Sequence, residues 1–71
     1  MRDRPKLFDV IELLQDIPEE DLKKGDIGAI IVIYDKPREA YEVEFLNSDG
    51  TEKGTAVVHE EQFKITEENE E

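Results

Sequence analysis

The 71-residue chain lacks cysteine and tryptophan, and it contains no long uninterrupted run of apolar residues. Without cysteine, neither disulfides nor thiolate zinc sites can support the fold, so stability must come from packing. A membrane-spanning helix needs about 20 consecutive apolar residues, and residues 1–6 lack the apolar core of a signal peptide. We therefore expect a cytoplasmic protein that does not enter a membrane.

Basic residues are also scarce in this chain. Nine Lys and Arg stand against 20 Asp and Glu, which gives a net charge of −11. A field of this sign repels the phosphates of nucleic acids and anionic membranes, and it speeds encounter with basic molecules. The composition therefore argues against nucleic-acid binding and favours a basic protein as partner.

Part of the acidic excess lies at the C-terminal end. Residues 66–71 contain four acids, no base and no apolar side chain. Because such a segment has nothing to bury, we predict a disordered acidic tail. We expect residues 1–65 to form a single domain, whose small core leaves little room for a deep active-site cavity.

The first apolar segment, residues 7–14, fits two kinds of secondary structure. A helical face would consist of Leu7, Val10, Ile11 and Leu14. The β-branched centre of the segment and the Ile17-Pro18 pair soon after it favour a strand. A helix remains the alternative.

The following residues predict a buried strand that is entered through a loop. In the loop from Pro18 to Asp26, Leu22 is the one apolar residue, and we expect it to pack beneath the loop. Gly25 and Gly28 bracket the start of the strand, where positive φ or a sharp bend is needed. The apolar run from Ala29 to Tyr34 is typical of a strand that is covered on both faces or bent across a barrel.

The second half of the chain reads as a series of short strands. Three apolar residues, Tyr41, Val43 and Phe45, alternate with two acids, which predicts one buried and one acidic face. Turns are predicted at residues 35–39 and 47–50, strands at 55–58 and 63–65, and a 3₁₀ turn at 59–62. The pattern predicts an all-β fold, namely a small SH3-like five-stranded antiparallel barrel.

Three segments carry a resemblance to a known family. They are Leu13-Leu-Gln-Asp16, Leu22-Lys-Lys-Gly-Asp-Ile-Gly28 and Tyr41-Glu-Val-Glu-Phe45, in this order and at this spacing. Over residues 6–65 the chain resembles the small bacterial domain-of-unknown-function family 4926. The resemblance implies a stand-alone SH3-like domain with no established activity, and an association of some members with toxin-like genes.

No catalytic or metal-binding motif is recognisable in the sequence. His59 is the single histidine, and no Ser or Thr lies in a nucleophile motif such as Gly-x-Ser-x-Gly. The turn Asn47-Ser-Asp-Gly50 matches only the start of a calcium loop and lacks its later ligands. We therefore expect no catalysis, no cofactor and no metal.

Binding is the activity that remains. In an SH3-like barrel the long first loop and the neighbouring turn flank a shallow surface. We predict an acidic and aromatic partner-binding patch there, formed by Glu19, Glu20, Asp21, Tyr34, Asp35 and Tyr41. Packing in the core or at an edge is the alternative role of the two tyrosines.

Two hypotheses about function follow. In the first, an interaction module docks a basic protein, as an antitoxin would when it fills the phosphate-binding cleft of a nucleic-acid-cutting toxin. In the second, the chain is a structural or accessory subunit, or a homodimer, joined through an exposed edge such as the last strand or residues 55–58. Release of a partner by moderate salt would favour the first, and salt-insensitive self-association the second.

Overall fold

The computed structural model describes residues 4–70 and contains one sheet of five antiparallel strands. The strands are β1 (Val10–Leu13), β2 (Ile27–Tyr34), β3 (Ala40–Leu46), β4 (Glu52–Val58) and β5 (Phe63–Glu67). Two short 3₁₀ turns, at Pro18–Glu20 and Glu60–Gln62, lie in the connections. The predicted all-β class is confirmed, and the alternative of a helix over residues 7–14 is wrong.

The strands are ordered β4-β3-β2-β1-β5. Strands adjacent in the chain pair as β1–β2, β2–β3 and β3–β4, and β5 returns to pair with β1. β1 pairs only with residues 27–29 of β2, whereas β3 pairs along the whole of β2 with a register shift between Ile30 and Val32. No ladder joins β4 to β5 within the described residues, so the sheet has two free edges.

One face of the sheet forms the core. Tyr41, Val43 and Phe45 of β3 are buried, as their alternation predicted. The other members of the core cluster are Ile11, Leu13, Ile17, Leu22, Ile30, Ala56, Val58 and Phe63. The predicted burial of Leu22 beneath the long loop is therefore confirmed. Tyr41 and Phe63 meet edge to face with ring centroids 5.6 Å apart, so the sheet curls enough to bring β3 against β5.

Two glycines at the start of β2 have different physical roles. Gly25 has a φ of 96°, which confirms the expectation of positive φ at this entry. Gly28 is required for steric reasons instead, because a Cβ atom there would lie 2.6 Å from the backbone oxygen of Glu44 and 2.6 Å from Cγ1 of Val43. Gly28 pairs with Phe45 of β3, so the missing side chain permits the close approach of β3 to β2.

Of the two expectations for β2, coverage on both faces is wrong for its second half, and a bend across a barrel stays a prediction. Val32, Ile33 and Tyr34 are all exposed. In the described part of the chain these three residues pair with β3 alone, so they lie where β2 extends past β1.

The predicted disordered tail begins too early. Thr66 and Glu67 belong to β5, and the Thr66 hydroxyl donates to the backbone oxygen of Val10 at 3.3 Å. The backbone N–H of Asn69 donates to Oδ1 of Asp9 at 2.7 Å. Hydrogen bonds thus hold a segment that has no apolar side chain to bury. Residue 71 of the predicted tail and residues 1–3 of the predicted domain lie outside the described residues.

The part of the chain that the structure describes holds no helix of the length and apolar character needed to cross a bilayer.

Candidate functional site

Three acids of the predicted patch lie on the long loop between β1 and β2. Glu19 and Glu20 belong to the first 3₁₀ turn, and Asp21 follows it with a φ of 58°. All three are exposed. Within residues 4–70 their carboxylates make no hydrogen bond or ion pair, so they are open to an incoming cation.

Tyr34 and Asp35 lie at the end of β2. Tyr34 is 40% exposed, and its hydroxyl donates a 2.6 Å hydrogen bond to Oε1 of Glu42. This hydrogen bond to a carboxylate raises the pKa of the Tyr34 phenol above its ordinary value, because ionisation would replace attraction by repulsion. Tyr34 therefore stays protonated and holds the Glu42 side chain in a defined position.

Tyr41 does not belong to the surface. It is 1% exposed and packs against Phe63. Burial, assisted by the charges of Glu39 and Glu60, raises the pKa of its phenol. The prediction that Tyr41 contacts a partner is wrong, because the alternation of β3 directs its side chain into the core.

On the outer face of the sheet, Tyr34 meets residues that the predicted patch omits. In the strand register, Glu42 lies between Val32 of β2 and Val57 of β4. Both valines are exposed, Val57 by 53%. We call Val32, Tyr34, Glu42 and Val57 the outer patch. It combines one carboxylate, one phenol and two aliphatic side chains.

No basic side chain of the described residues neutralises the outer patch. The ion pairs join Arg4 to Glu39, Arg38 to Glu61, Lys53 to Asp26 and Lys64 to Glu12. Glu42 and its neighbour Glu44 on the same face take part in none of them, although both are half-buried. A partly desolvated carboxylate without a cation attracts an ammonium or guanidinium group more strongly than one in bulk water does.

The second 3₁₀ turn touches both segments that contribute to the predicted patch. The backbone N–H of Leu14 donates to the oxygen of Gln62 at 2.8 Å, and Arg38 in the turn after β2 pairs with Glu61 at 3.2 Å. The N–H of Glu61 itself lowers the pKa of its carboxyl, and the Arg38 charge adds to this effect. Among the described residues, however, no hydrogen bond or ion pair joins the three loop acids to Tyr34 or Asp35.

His59 has a structural role at the start of this 3₁₀ turn. Its backbone N–H donates to Oε1 of Gln62 at 2.8 Å, and its ring Nδ1 lies 3.3 Å from the backbone oxygen of Glu39. The residue thus fixes the corner between β4 and β5.

One solvent-open depression lies beside the β3–β4 turn. It has a volume of about 470 Å³, and Ile27 and Leu46 provide its apolar walls. The Lys53–Asp26 ion pair of 2.8 Å lies at its border. Partial burial acts to raise the pKa of Asp26, but hydrogen bonds from Lys53 and from the Lys23 backbone outweigh it and lower the pKa.

Another depression, of about 210 Å³, lies under the long loop. It is lined by Asp16, Pro18, Asp21, Leu22 and Lys23. Over residues 4–70, no three His, Asp or Glu side chains converge in a way that could hold a metal ion.

These observations define a class, namely a small, acidic, all-β domain built on one curled antiparallel sheet. The model of the family "Domain of unknown function (DUF4926)" matches residues 7–65, and the chain belongs to this family. The resemblance based on three short sequence segments is thereby confirmed. No curated protein and no solved structure matched the chain.

Proposed function

We propose that this protein is a docking domain that binds a basic protein through its acidic surface. The outer patch supports the proposal best. Glu42 is half-buried between two exposed valines, is held by the Tyr34 hydroxyl, and lacks a cation among the described residues. The net charge of −11 supplies long-range attraction, and the outer patch supplies the local contact.

A lysine or arginine side chain of the partner would satisfy every group of the outer patch. Its cation would pair with Glu42 and lie near the ring of Tyr34, while its methylene stem would cover Val32 and Val57. Because Tyr34 already orients the carboxylate, less conformational freedom is lost on binding. The loop acids would mainly accelerate association, since no bond fixes their side chains.

The proposal includes finer assignments of fold, location and partner. The strand order, the long first loop and the 3₁₀ turn before β5 favour an SH3-like barrel. We assign the protein to the cytoplasm, with no catalytic activity and no nucleic-acid binding. A nucleic-acid-cutting toxin is a suitable partner class, because a phosphate-binding cleft is basic and would complement the outer patch.

Two charge-matched variants test the proposal. Glu42→Gln and Glu52→Gln each remove one negative charge, but Glu52 lies exposed on β4 outside the outer patch. The wild-type chain should retain a basic protein from a lysate of the source cell and release it at moderate salt. Its affinity for that purified protein should fall about tenfold in Glu42→Gln and much less in Glu52→Gln. Equal losses of affinity in the two variants would reject the outer patch as the binding site. If the wild-type chain retained no basic protein, the proposed docking function would be rejected.

A third variant tests the loop acids. Reversing Glu19, Glu20 and Asp21 to lysine should leave the fold intact, because their side chains are exposed and unbonded within the described chain. We expect slower association with the same partner and a weaker dependence of the rate on salt. An unchanged association rate would remove the loop from the binding surface.

The free edge of β4 supports a second candidate function as a structural subunit or homodimer. No strand of the described residues pairs with its outer side, and Val57 on this strand is half-exposed. Two such edges can join as a continuous sheet. Sedimentation equilibrium at about 0.05 M and about 0.5 M salt separates the candidates. A dimer that persists at the higher salt supports the homodimer, and a monomer at both salt concentrations rejects it.

A further inference from the structure

The turn from Lys6 to Asp9 combines an exposed aromatic side chain with an unfavourable backbone conformation. The N–H of Asp9 donates to the oxygen of Lys6 at 3.1 Å and closes the turn, and Phe8 occupies its third position with a φ of 69°. Turns of this kind take Gly or Asn at that position, because a bulky residue is strained at positive φ. Phe8 is nevertheless 60% exposed, so burial of its ring offsets little of the strain.

The turn is held by bonds that do not involve the Phe8 ring. Asp9 is fully buried, and its Oδ2 accepts the N–H of Lys6 at 2.8 Å. The N–H of Phe8 donates to the oxygen of Ile30 at 2.7 Å, and the N–H of Ile30 donates to the oxygen of Asp9 at 3.1 Å. A rigid turn that presents an aromatic ring to solvent has the properties of a binding anchor, because little order has to be gained on binding.

The C-terminal segment brings negative charge to the side of this turn. The backbone N–H of Asn69 donates to Oδ1 of Asp9, and its side-chain Nδ2 donates to the oxygen of Leu7 at 3.1 Å. These bonds tie the segment to the turn, and the segment contains the exposed acids Glu67, which pairs with Val10 in the strand register, and Glu70, which follows Asn69. An apolar tip with an acidic border complements an apolar pocket with a basic rim.

We infer that Leu7 and Phe8 form an anchor that inserts into an apolar pocket, rimmed by lysine or arginine, on a protein partner. The inference rests on the proposed function, because it assigns a second contact point on the same basic partner. A second copy of this chain suits the anchor less well, since each copy carries a net charge of −11. An anionic membrane is disfavoured for the same reason.

Site-specific cross-linking tests where the partner binds. The full chain carries photoreactive benzoyl-phenylalanine at position 8 or, as a control, at the exposed Leu14, and is irradiated in a low-salt lysate of the source cell. We expect a basic protein to be joined through position 8 and not through position 14. The inference is overturned if position 8 gives no adduct, or gives one only with a neutral or acidic protein.

The same partner, once purified, is then measured against Phe8→Gly. This change removes the ring and at the same time relieves the backbone, so the melting temperature should stay within about 5 °C of wild type. The affinity should fall about thirtyfold or more, as for a central anchor residue. Phe63→Ala, which truncates a core ring, is the folding control and should lower the melting temperature strongly. Unchanged affinity of Phe8→Gly would overturn the inference.

A double variant tests the acidic border. Glu67→Gln with Glu70→Gln should lower the affinity by less than Phe8→Gly does, and it should weaken the dependence on salt. A salt dependence identical to that of wild type would remove the border from the inference.

Failure of the inference and failure of the proposed function give different results. If Glu42→Gln weakens binding of the basic partner and Phe8→Gly does not, the outer patch stands and the anchor is wrong. If Phe8→Gly weakens binding while Glu42→Gln and Glu52→Gln behave alike, the anchor stands and the outer patch is wrong.

Discussion

Two tight turns of this protein each contain a residue with positive φ, which is a glycine in one turn and a phenylalanine in the other. In the β3–β4 turn, Gly50 has a φ of 90°, and its N–H donates to the oxygen of Asn47 at 2.9 Å. In the N-terminal turn, Phe8 has a φ of 69°. Glycine adopts positive φ without steric conflict, whereas another residue loses roughly 1–2 kcal/mol. Because the fold alone would be served better by glycine, the exposed ring of Phe8 points to a role in contact with another molecule.

The two turns also differ in the hydrogen bonds that their aspartates accept. Asp49 is exposed, and its Oδ1 accepts hydrogen bonds from the hydroxyl and the N–H of Thr51, which lower the pKa of Asp49. Asp9 is buried and joins the N-terminal turn to Asn69, 60 residues away. One turn is built from local bonds, and the other depends on distant parts of the chain.

The largest effect is expected from Asp9→Ala. Removal of this carboxylate leaves the N–H groups of Lys6 and Asn69 without their acceptor beside the core, so the free energy of unfolding should fall by about 3 kcal/mol. Urea unfolding followed by circular dichroism measures it. Asp49→Ala is the matched control and should cost less, because water can replace an exposed acceptor. Equal losses would contradict the contrast between the two turns.

Gly50→Ala should have the next largest effect. The added Cβ meets no atom within 4 Å, so any loss reports backbone conformation alone. We expect a decrease in the free energy of unfolding of about 1–2 kcal/mol. Chemical denaturation measures it, and a neutral result would show that the β3–β4 turn tolerates a side chain at positive φ.

In the N-terminal turn, a change to glycine should increase the free energy of unfolding relative to a change to alanine. Phe8→Gly should be more stable than Phe8→Ala by about 1 kcal/mol, because both lack the ring but only alanine retains the strain. At the exposed Leu14, which has no positive φ, the glycine variant should instead be less stable than the alanine variant, because glycine gives the unfolded chain more conformational freedom. Thermal unfolding of the four variants gives the stability difference between glycine and alanine at each position. If glycine were the less stable residue at both positions, the strain assigned to Phe8 would be wrong.

Acid should reveal the smallest effect, at the β3–β4 end of the sheet. The folded-state pKa of Asp26 is lowered, so its ion pair with Lys53 adds stability that is present above the ordinary aspartate pKa. That contribution, about 0.5 kcal/mol for a partly exposed pair, should be lost as the pH falls below about 4. The stability difference between wild type and Asp26→Asn should therefore vanish in acid, and a difference that persists at low pH would contradict this assignment.

Periodicity and turn chemistry were enough to predict most of the fold. The alternation at Tyr41, Val43 and Phe45 predicted the buried face of β3, and the residues 47–50 predicted its turn. The conformation of Phe8 could not be predicted, because the local sequence contains no Gly or Asn there. It is set by bonds to Ile30 and to the C-terminal segment, which only the folded chain brings together.

The candidate site was predicted only in part for a similar reason. Tyr34 was identified from its residue type, but Val32, Glu42 and Val57 become its neighbours only through the register of three strands. The outward direction of Glu42 was contained in the alternation of β3. Which residues flank it depends on the register shift in β2, and no local pattern in the sequence indicates that shift.

Within residues 4–70 no strand pairs with the outer side of β4 or of β5, and these edges have a practical consequence for handling the protein. Exposed strand edges are templates along which separate molecules can stack into fibres. Mutual repulsion between carboxylates keeps such edges apart, and protonation or concentrated salt weakens that repulsion. Dilute neutral buffer should therefore preserve the dispersed protein, and acidic precipitation steps should promote its conversion into insoluble material.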